Sequence, residues 1–582
     1  MSTRNRILIF GATGAVGRHL VAQLRDDQEV RALVRDPISA RLPSDVDIVV
    51  GDLTVPASLH QAISGCSAVF LVWPLASVKG LDDLIRVIAG NTERIVYLSS
   101  AVPREHERKA EELIRESGVE WTFLRPRSFA SNTLWWAERI RAGLPVREPF
   151  ARAAMALIDP RDVARVAARA LTLDGHHGAV YELTGPEAIS KLEQTGVISE
   201  TIGRSVLFEE SSPADARVEL TSRGWPSQLV DEILLTQRDL VENPDPTTPT
   251  VENVTGTPPG SFQSWVTDHA HRFKTTMKAA RIGDYGDADV IHIEETPLPM
   301  PGDGEVLIRV AGYSFNPSET ALRAGGLHEV FPLEFPYTLG WDVSGTVVEQ
   351  FGRSDFAIGD KVIGRLDRGG AAAEYVVAPV ADLAKAPTTV SLADAAAIPV
   401  AGLASWQAVI EHARVSPGQT VLINGAGGAV GRFAVQLAKR AGARVIATAS
   451  KHSAATISRY GADQTIDYTI TPLHEAVDDR VDVLLNLVPT SPDITADLAT
   501  LVSPGGSIVS ITSHFDSPPR SNIKVTQFVA RNDPEILAAV VEAIDRREII
   551  VEPAERRPLG DVPAIHSRSE NGEIHGKVVF TL

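Results

Sequence analysis

The sequence holds a single cysteine, Cys66, among 582 residues. One thiol cannot form an intramolecular disulfide, and a thiolate zinc cluster is excluded as well. A surplus of positive charge is also missing: 56 Lys and Arg face 74 Asp and Glu, for a net charge of −18. Such a field repels a polyanion, so no nucleic-acid partner is expected. The first apolar run, in MSTRNRILIFGATG, ends at once in a glycine turn, and no apolar span of about 18 residues follows it. These absences lead to the expectation of a cytoplasmic protein with no membrane partner. The length exceeds what one hydrophobic core supports, so about two to four domains are expected.

What is present is a glycine loop written twice. GATGAVGR occupies residues 11–18 and GAGGAVGR residues 425–432, and seven of the eight letters agree. Each copy stands between an apolar run and a helical pattern. Arg6-Ile7-Leu8-Ile9-Phe10 precedes the first and His19-Leu20-Val21-Ala22-Gln23-Leu24 follows it; Thr420-Val421-Leu422-Ile423 precedes the second and RFAVQLAKRAGA follows it. Strand, glycine turn and helix together form a dinucleotide cradle. Glycines let the backbone approach a pyrophosphate, and the helix N-terminus supplies amides and positive potential. The candidate contacts are Gly11, Thr13, Gly14, Ala15, Val16 and Gly17 in the first loop. In the second they are Gly425, Gly428, Ala429, Val430 and Gly431.

The end of the next strand decides between NAD and NADP, because a carboxylate there would hold the ribose 2′-hydroxyl. After the first loop the strand EVRALVR ends on Arg35, 18 residues beyond Gly17, with Asp36 beside it. A guanidinium grips a 2′-phosphate bidentately, so NADP(H) is preferred, the alternative being a solvated strand-end arginine. After the second loop the position carries Ser450 and Lys451, again with no acid. Two NADPH sites per chain are expected.

Further strands at Asp47–Val50, Ala68–Val72 and Arg94–Ser100, separated by helical segments, make the first part a doubly wound α/β domain. VRALVRDP, GDLTVPASL, YLSSA, SGVEWTFLRP, ALIDPRDVA and YELTGPEA resemble the NmrA-like group of atypical short-chain dehydrogenases, from Arg4 to about residue 272. The resemblance implies Asp52 and Leu53 beside the adenine, and Ser99 and Ser100 near the nicotinamide end. Reductases of the larger family use a Tyr-x-x-x-Lys pair for proton donation. Here Lys109 is a candidate catalytic lysine, but Glu105 stands at the tyrosine position, and REHERKAEE also reads as a solvated helix face. NmrA-like proteins include reductases and non-catalytic dinucleotide sensors, and both readings stay open. The Pro/Thr-rich stretch at residues 243–260 runs into a tail resembling the end of NmrA-like domains, which places the junction between His271 and Thr276.

From Met277 the chain turns β-rich, with EVLIRVAGYSFNP, VSGTVVEQF, GDKVIGR and AAEYVVAP. FNPSE, FPYTLGWDVSGTV, FAIGDKV, IPVAGLASWQA, GADQTIDY, LVSPGGSIVSI and GKVVF resemble the quinone oxidoreductase branch of the medium-chain dehydrogenase/reductases over residues 277–582. The implied fold class is α/β: an NmrA-like Rossmann domain (1–275) followed by a medium-chain reductase. The latter consists of a GroES-like β domain (277–400, completed by about 540–582) and a second Rossmann domain (401–539). The resemblance also implies Asn316 at the nicotinamide and substrate, and Tyr468 at the 2′-phosphate. Zinc-dependent relatives need Cys, His and Glu ligands, whereas the matching segment here is Gly340-Trp341-Asp342, so no metal is expected. Without a Lewis acid, quinones and enones are the accessible substrates, because they delocalise the developing charge. The overall expectation is a fused NADPH-dependent oxidoreductase acting on a small molecule, assembled as a homodimer. Trp135, Trp136 and Trp341 are candidate lining residues for an apolar substrate. The rival readings are a regulatory NADPH sensor in the first half, or two consecutive enzymes of one route.

Overall fold

The computed structural model describes residues 6–37, 40, 42–75, 77–352, 354–477, 480–516 and 522–582. The chain divides into two compact units, Met1–Thr275 with Gln350–Gly359, and Thr276–Glu349 with Asp360–Leu582.

In the first unit, alternating apolar residues of the opening strand serve two cores. Ile7 and Ile9 pack on one face of the sheet, Leu8 and Phe10 on the other. A strand buried on both faces belongs in the middle of a parallel sheet. It lies there: the seven strands run in the order Asp47–Val50, Glu29–Val34, Arg6–Phe10, Ala68–Val72, Arg94–Leu98, Glu120–Pro126 and Ala179–Leu183. Every pairing in this sheet is parallel. The order reverses at Arg6–Phe10, and the crevice at such a switch point is where ligands bind. The strand predicted over 94–100 ends at Leu98, which puts Ser99 and Ser100 just past its carboxyl end. The proline-rich stretch after residue 243 contains the helix Thr250–Thr255, whose Val251 is fully buried in the same core as Ile7.

The second unit joins a β part to a parallel sheet. Six strands run Gln464–Ile466, Arg444–Thr448, Thr420–Asn424, Val481–Asn486, Val502–Ser510 and Lys524–Gln527, all parallel, with the reversal at Thr420–Asn424. The β part is a second sheet built round Glu305–Ser314, which pairs antiparallel with both Tyr375–Pro379 and Val578–Thr581. The last strand of the chain thus returns to the beginning of the unit, placing Lys577 beside residues more than 230 positions earlier. Among the described residues no helix is long and apolar enough to cross a membrane.

Candidate active sites

The two loops adopt one backbone device. Gly11 and Gly425 take left-handed φ values of +67° and +89°, which an L side chain rarely adopts. The amide of Gly14 donates to Gly11 O at 2.9 Å, and that of Gly428 to Gly425 O at 3.2 Å. A Cβ on Gly17 would stand 2.1 Å from Gly11 O, and one on Gly431 2.3 Å from Gly425 O. These third glycines therefore let the helix start against the turn. Neither the helix Gly17–Leu24 nor Ala429–Arg440 has a side-chain cap, so their first amides stay open to a ligand. Both loops thus fit a pyrophosphate.

The arginine after each loop is a residue the sequence reading left unassigned. Arg18 donates from Nη2 to Thr13 O at 2.9 Å, and Arg432 from Nε to Gly427 O at 3.2 Å. Each guanidinium folds back and pins its own loop. Burial pulls Arg432 below its ordinary pKa. The shared R in the two octapeptides was the available signal.

Around the first loop, Ala15 is exposed and Val16 buried in the core. Arg35 is exposed at its strand end. Hydrogen bonds from the Thr54 amide and hydroxyl hold the Asp52 carboxyl below its usual range, and the Arg35 charge adds to this. Leu53 is half-buried against the core that contains Phe10. Ser99 stands at the carboxyl edge, but its hydroxyl donates to buried Glu111 at 2.8 Å and is spent inside the protein. Burial would raise the Glu111 carboxyl, yet hydrogen bonds from Arg125, Ser99 and Arg115 outweigh this and hold it low. Ser100 donates to Glu107 at 2.7 Å.

Lys109, the candidate catalytic lysine, is exposed on its helix. On the helix Glu105–Glu116 the inward positions are Ala110, Glu111 and Ile114. Two residues along a helix is a turn of about 200°, so Lys109 lies opposite Glu111. It makes an exposed pair with Glu112 at 2.8 Å. Trp136 is likewise a core residue, its Nε1 donating to Glu148 at 3.1 Å, while Trp135 is exposed and meets Trp225 edge-on. His176 is hydrogen-bonded to the Tyr181 hydroxyl, and His177 accepts from the Trp121 amide.

The second loop opens on a cavity of about 660 Å³. Gly425, Gly428, Ser450 and Tyr468 all line it. Lys451 is exposed next to Ser450, and its charge helps hold Asp467 low after the Thr469 hydrogen bonds. Ala429 and Val430 are half-buried at the start of the helix and pack on the core. Beneath the loop lies a polar floor that sequence spacing did not reveal. The Gly425 amide donates to Thr448 Oγ1, whose hydroxyl donates to Asn424 Oδ1, and Asn424 Nδ2 donates to Asn486 Oδ1.

Asn316 is buried, and both ends of its amide are engaged by the protein. Nδ2 donates to Asp342 Oδ2 at 2.9 Å and Glu319 Oε1 at 3.2 Å, while Oδ1 accepts from Lys577 Nζ at 2.6 Å. The resemblance implies Asn316 at the nicotinamide and substrate; here its amide is held among Asp342, Glu319 and Lys577. Asp342 is engaged too: Oδ2 accepts from Ser314, Asn316 and Lys577, and Oδ1 from the Val400 amide at 2.7 Å. Fully buried Glu319 is pushed up to about 7 by desolvation.

Known families match three stretches of the chain. A profile described as NAD(P)H-binding matches residues 11–174, an alcohol dehydrogenase GroES-like profile residues 302–388, and a zinc-binding dehydrogenase profile residues 460–580. A (4-alkanoyl-5-oxo-2,5-dihydrofuran-3-yl)methyl phosphate reductase of Streptomyces griseus is 38% identical over 279 residues, covering 46% of this chain and 99% of the relative. A quinone oxidoreductase of Sus scrofa is 30% identical over 323 residues, covering 51% of this chain and 97% of its own length. The chain belongs to the NAD(P)H-dependent oxidoreductases. It joins an NAD(P)H-binding domain to GroES-like and zinc-binding dehydrogenase-type domains. An NAD(P)H azoreductase of Xenophilus azovorans, 30% identical over 284 residues, covers 46% of the oxidoreductase and is itself covered to 99%.

Proposed function

We propose that both units are NADPH-dependent reductases of conjugated acceptors, the second acting on a quinone or enone without zinc. The observation that carries this is the 660 Å³ cavity, where the glycine loop meets Ser450 and Tyr468 and no carboxylate occupies the ribose position. Bound NADPH supplies the hydride. The chain supplies placement: loop amides fix the pyrophosphate, and the polar floor under Gly425 holds the loop rigid.

Zinc does not fit the second unit. Both Asp342 oxygens are occupied, the Lys577 ammonium stands beside them, Trp341 offers only a donor, and this half has no cysteine. An acceptor that spreads its own charge needs neither Lewis acid nor a strong proton donor.

We assign the phosphate reductase and azoreductase matches to the first unit, because the second is accounted for by the quinone oxidoreductase. The first relative's name describes a ring double bond conjugated to carbonyl groups, a substrate that also delocalises charge. A reductase without a Tyr–Lys pair suits such acceptors. The opposed orientation of Lys109 and the engaged Ser99 hydroxyl favour a second reading, a dinucleotide sensor with no turnover.

The test is reduction of an enone by the full chain with 4-deuterated NADPH, before and after exhaustive chelation. Deuterium on the β-carbon and an unchanged rate are expected. Label on the carbonyl carbon, or a loss that zinc alone restores, sinks the assignment for the second unit. For the first unit, an acceptor whose reduction survives loss of the second loop establishes turnover. No such acceptor among carbonyls, imines, azo compounds and butenolides leaves the sensor reading standing.

A further inference from the structure

The cavity at the second loop carries histidines to which the reading above gives no role. His452 follows Lys451 directly after the strand Arg444–Thr448, and His575 lies just before the strand Val578–Thr581. Their rings stack with centroids 5.1 Å apart and planes 8° from parallel. His575 and His474 line the same cavity as Ser450 and Tyr468. Segments distant in sequence thus converge on the place where the ribose of a loop-bound dinucleotide would lie.

We propose that the His452–His575 stack is an anion subsite which, with Lys451 and Tyr468, receives the cofactor's 2′-phosphate and sets the preference for the phosphorylated dinucleotide. This rests on the assignment of NADPH to the second unit. Both rings are exposed. Imidazole is the side chain whose charge changes near neutral pH, and a dianionic phosphate lying against two such rings favours their protonated form. Binding and proton uptake are then linked, and affinity rises as the pH falls towards neutrality from above.

The surrounding charges favour an anion. Arg432 lies behind the stack's segment, its Nη2 2.6 Å from where a Gly576 Cβ would stand, and Lys451 adjoins His452. His474 is 3.8 Å from Glu475. Of the nearby acids, Asp467 is engaged by Thr469 and Glu573 is 3.9 Å from Arg568, while Asp497 lines the cavity. A hydrated ribose hydroxyl would gain nothing from such a set; a phosphate does.

The experiment uses the full chain with the first loop disabled by Gly17→Val, so that calorimetry reads the second site alone. Adenosine 2′,5′-bisphosphate and 5′-AMP are titrated between about pH 6.5 and 8.5, alongside the His452→Gln/His575→Gln double variant and Lys451→Ala. The 31P shift of the 2′-phosphate gives an independent readout. Expected is a fall in bisphosphate affinity of about tenfold over this range, with net proton uptake and little change for 5′-AMP. The double variant should keep a preference for the bisphosphate through Lys451 but lose the slope. An unchanged slope in the double variant overturns this proposal alone. No preference for the bisphosphate at any pH overturns the NADPH assignment itself, and this proposal with it.

Discussion

The loops Gly11–Gly17 and Gly425–Gly431 share a left-handed first glycine, a tight turn, a third glycine without room for a side chain, and an arginine that folds back onto the loop. They differ in what surrounds them. A Cβ on Gly11 would meet the Val72 side chain at 3.5 Å, an ordinary apolar contact, and the edge beyond is organised by the Glu111–Arg125 pair. The second loop rests on Thr448, Asn424 and Asn486 and opens on the large cavity. The backbone device follows from the ligand's pyrophosphate and so recurs in both units. The supporting side chains follow from the rest of each unit and do not recur. The two units are therefore best separated by substitutions that touch one loop's surroundings and not the other's.

The largest contrast concerns buried charge. The second unit holds Lys577 between Asn316 and Asp342. Lys577→Met leaves Asp342 without its cation and should destabilise this unit by roughly 3–5 kcal/mol, read as loss of its transition in urea. A buried acid adds a pH signature. Glu319 titrates near 7 in the folded chain against an ordinary 4.5. The folded state therefore binds more proton between these values, and this contribution to stability falls as pH rises through the window. Glu319→Gln should remove that fall, measured as the difference in unfolding free energy from wild type at about pH 4.5 and pH 7. Parallel curves for the two proteins would refute the assignment.

Next come the third glycines. Gly17→Val and Gly431→Val each force a side chain into a carbonyl, and overpacking of this kind costs about 1–3 kcal/mol or more. Each should reduce NADPH stoichiometry from two to one, and only Gly431→Val should abolish quinone reduction. Wild-type calorimetry showing a single site would break the comparison outright. Smaller effects are expected at the strand ends. Arg35→Ala and Lys451→Ala should each weaken one site by about 1–3 kcal/mol through loss of a charged hydrogen bond, without weakening NADH binding.

The features legible in the sequence were those with local periodicity. Buried parallel strands read as short apolar runs, and glycine spacing located both cradles, because backbone constraints act over a few residues. Ser450 and Tyr468, marked by their distance from the loop and by family resemblance, do line the cavity. The engagement of Asn316 by Lys577 was not legible, since its partner arrives from the last strand of the chain. The Asn424–Asn486 floor escaped for the same reason: it is made by adjacent parallel strands, and nothing in either strand's own pattern marks it. The hydrogen bond of Ser99 to Glu111 was not legible either, because its partner lies one helix away.

The smallest expected effect belongs to Lys109, and it bears most directly on whether the first unit catalyses. The helix that carries it turns Ala110, Glu111 and Ile114 inward and leaves Lys109 outside, paired with Glu112. An exposed pair three residues apart on a helix contributes little, and its removal disturbs nothing beyond the surface. Lys109→Ala should therefore leave the melting temperature, both NADPH affinities and all turnover at wild-type levels. The measurement is a side-by-side assay of the variant on quinones, enones, azo compounds and butenolides, with thermal melts as a check on folding. A selective loss of one product while quinone reduction persists would establish Lys109 as a proton-transfer residue. The helix would then have to rotate by roughly half a turn during catalysis, which requires breaking the Glu111–Arg125 and Glu111–Ser99 bonds. Glu111→Gln would discriminate the two cases: it should loosen that anchor and raise activity if rotation is needed, and lower stability with no gain if the observed face is the working one.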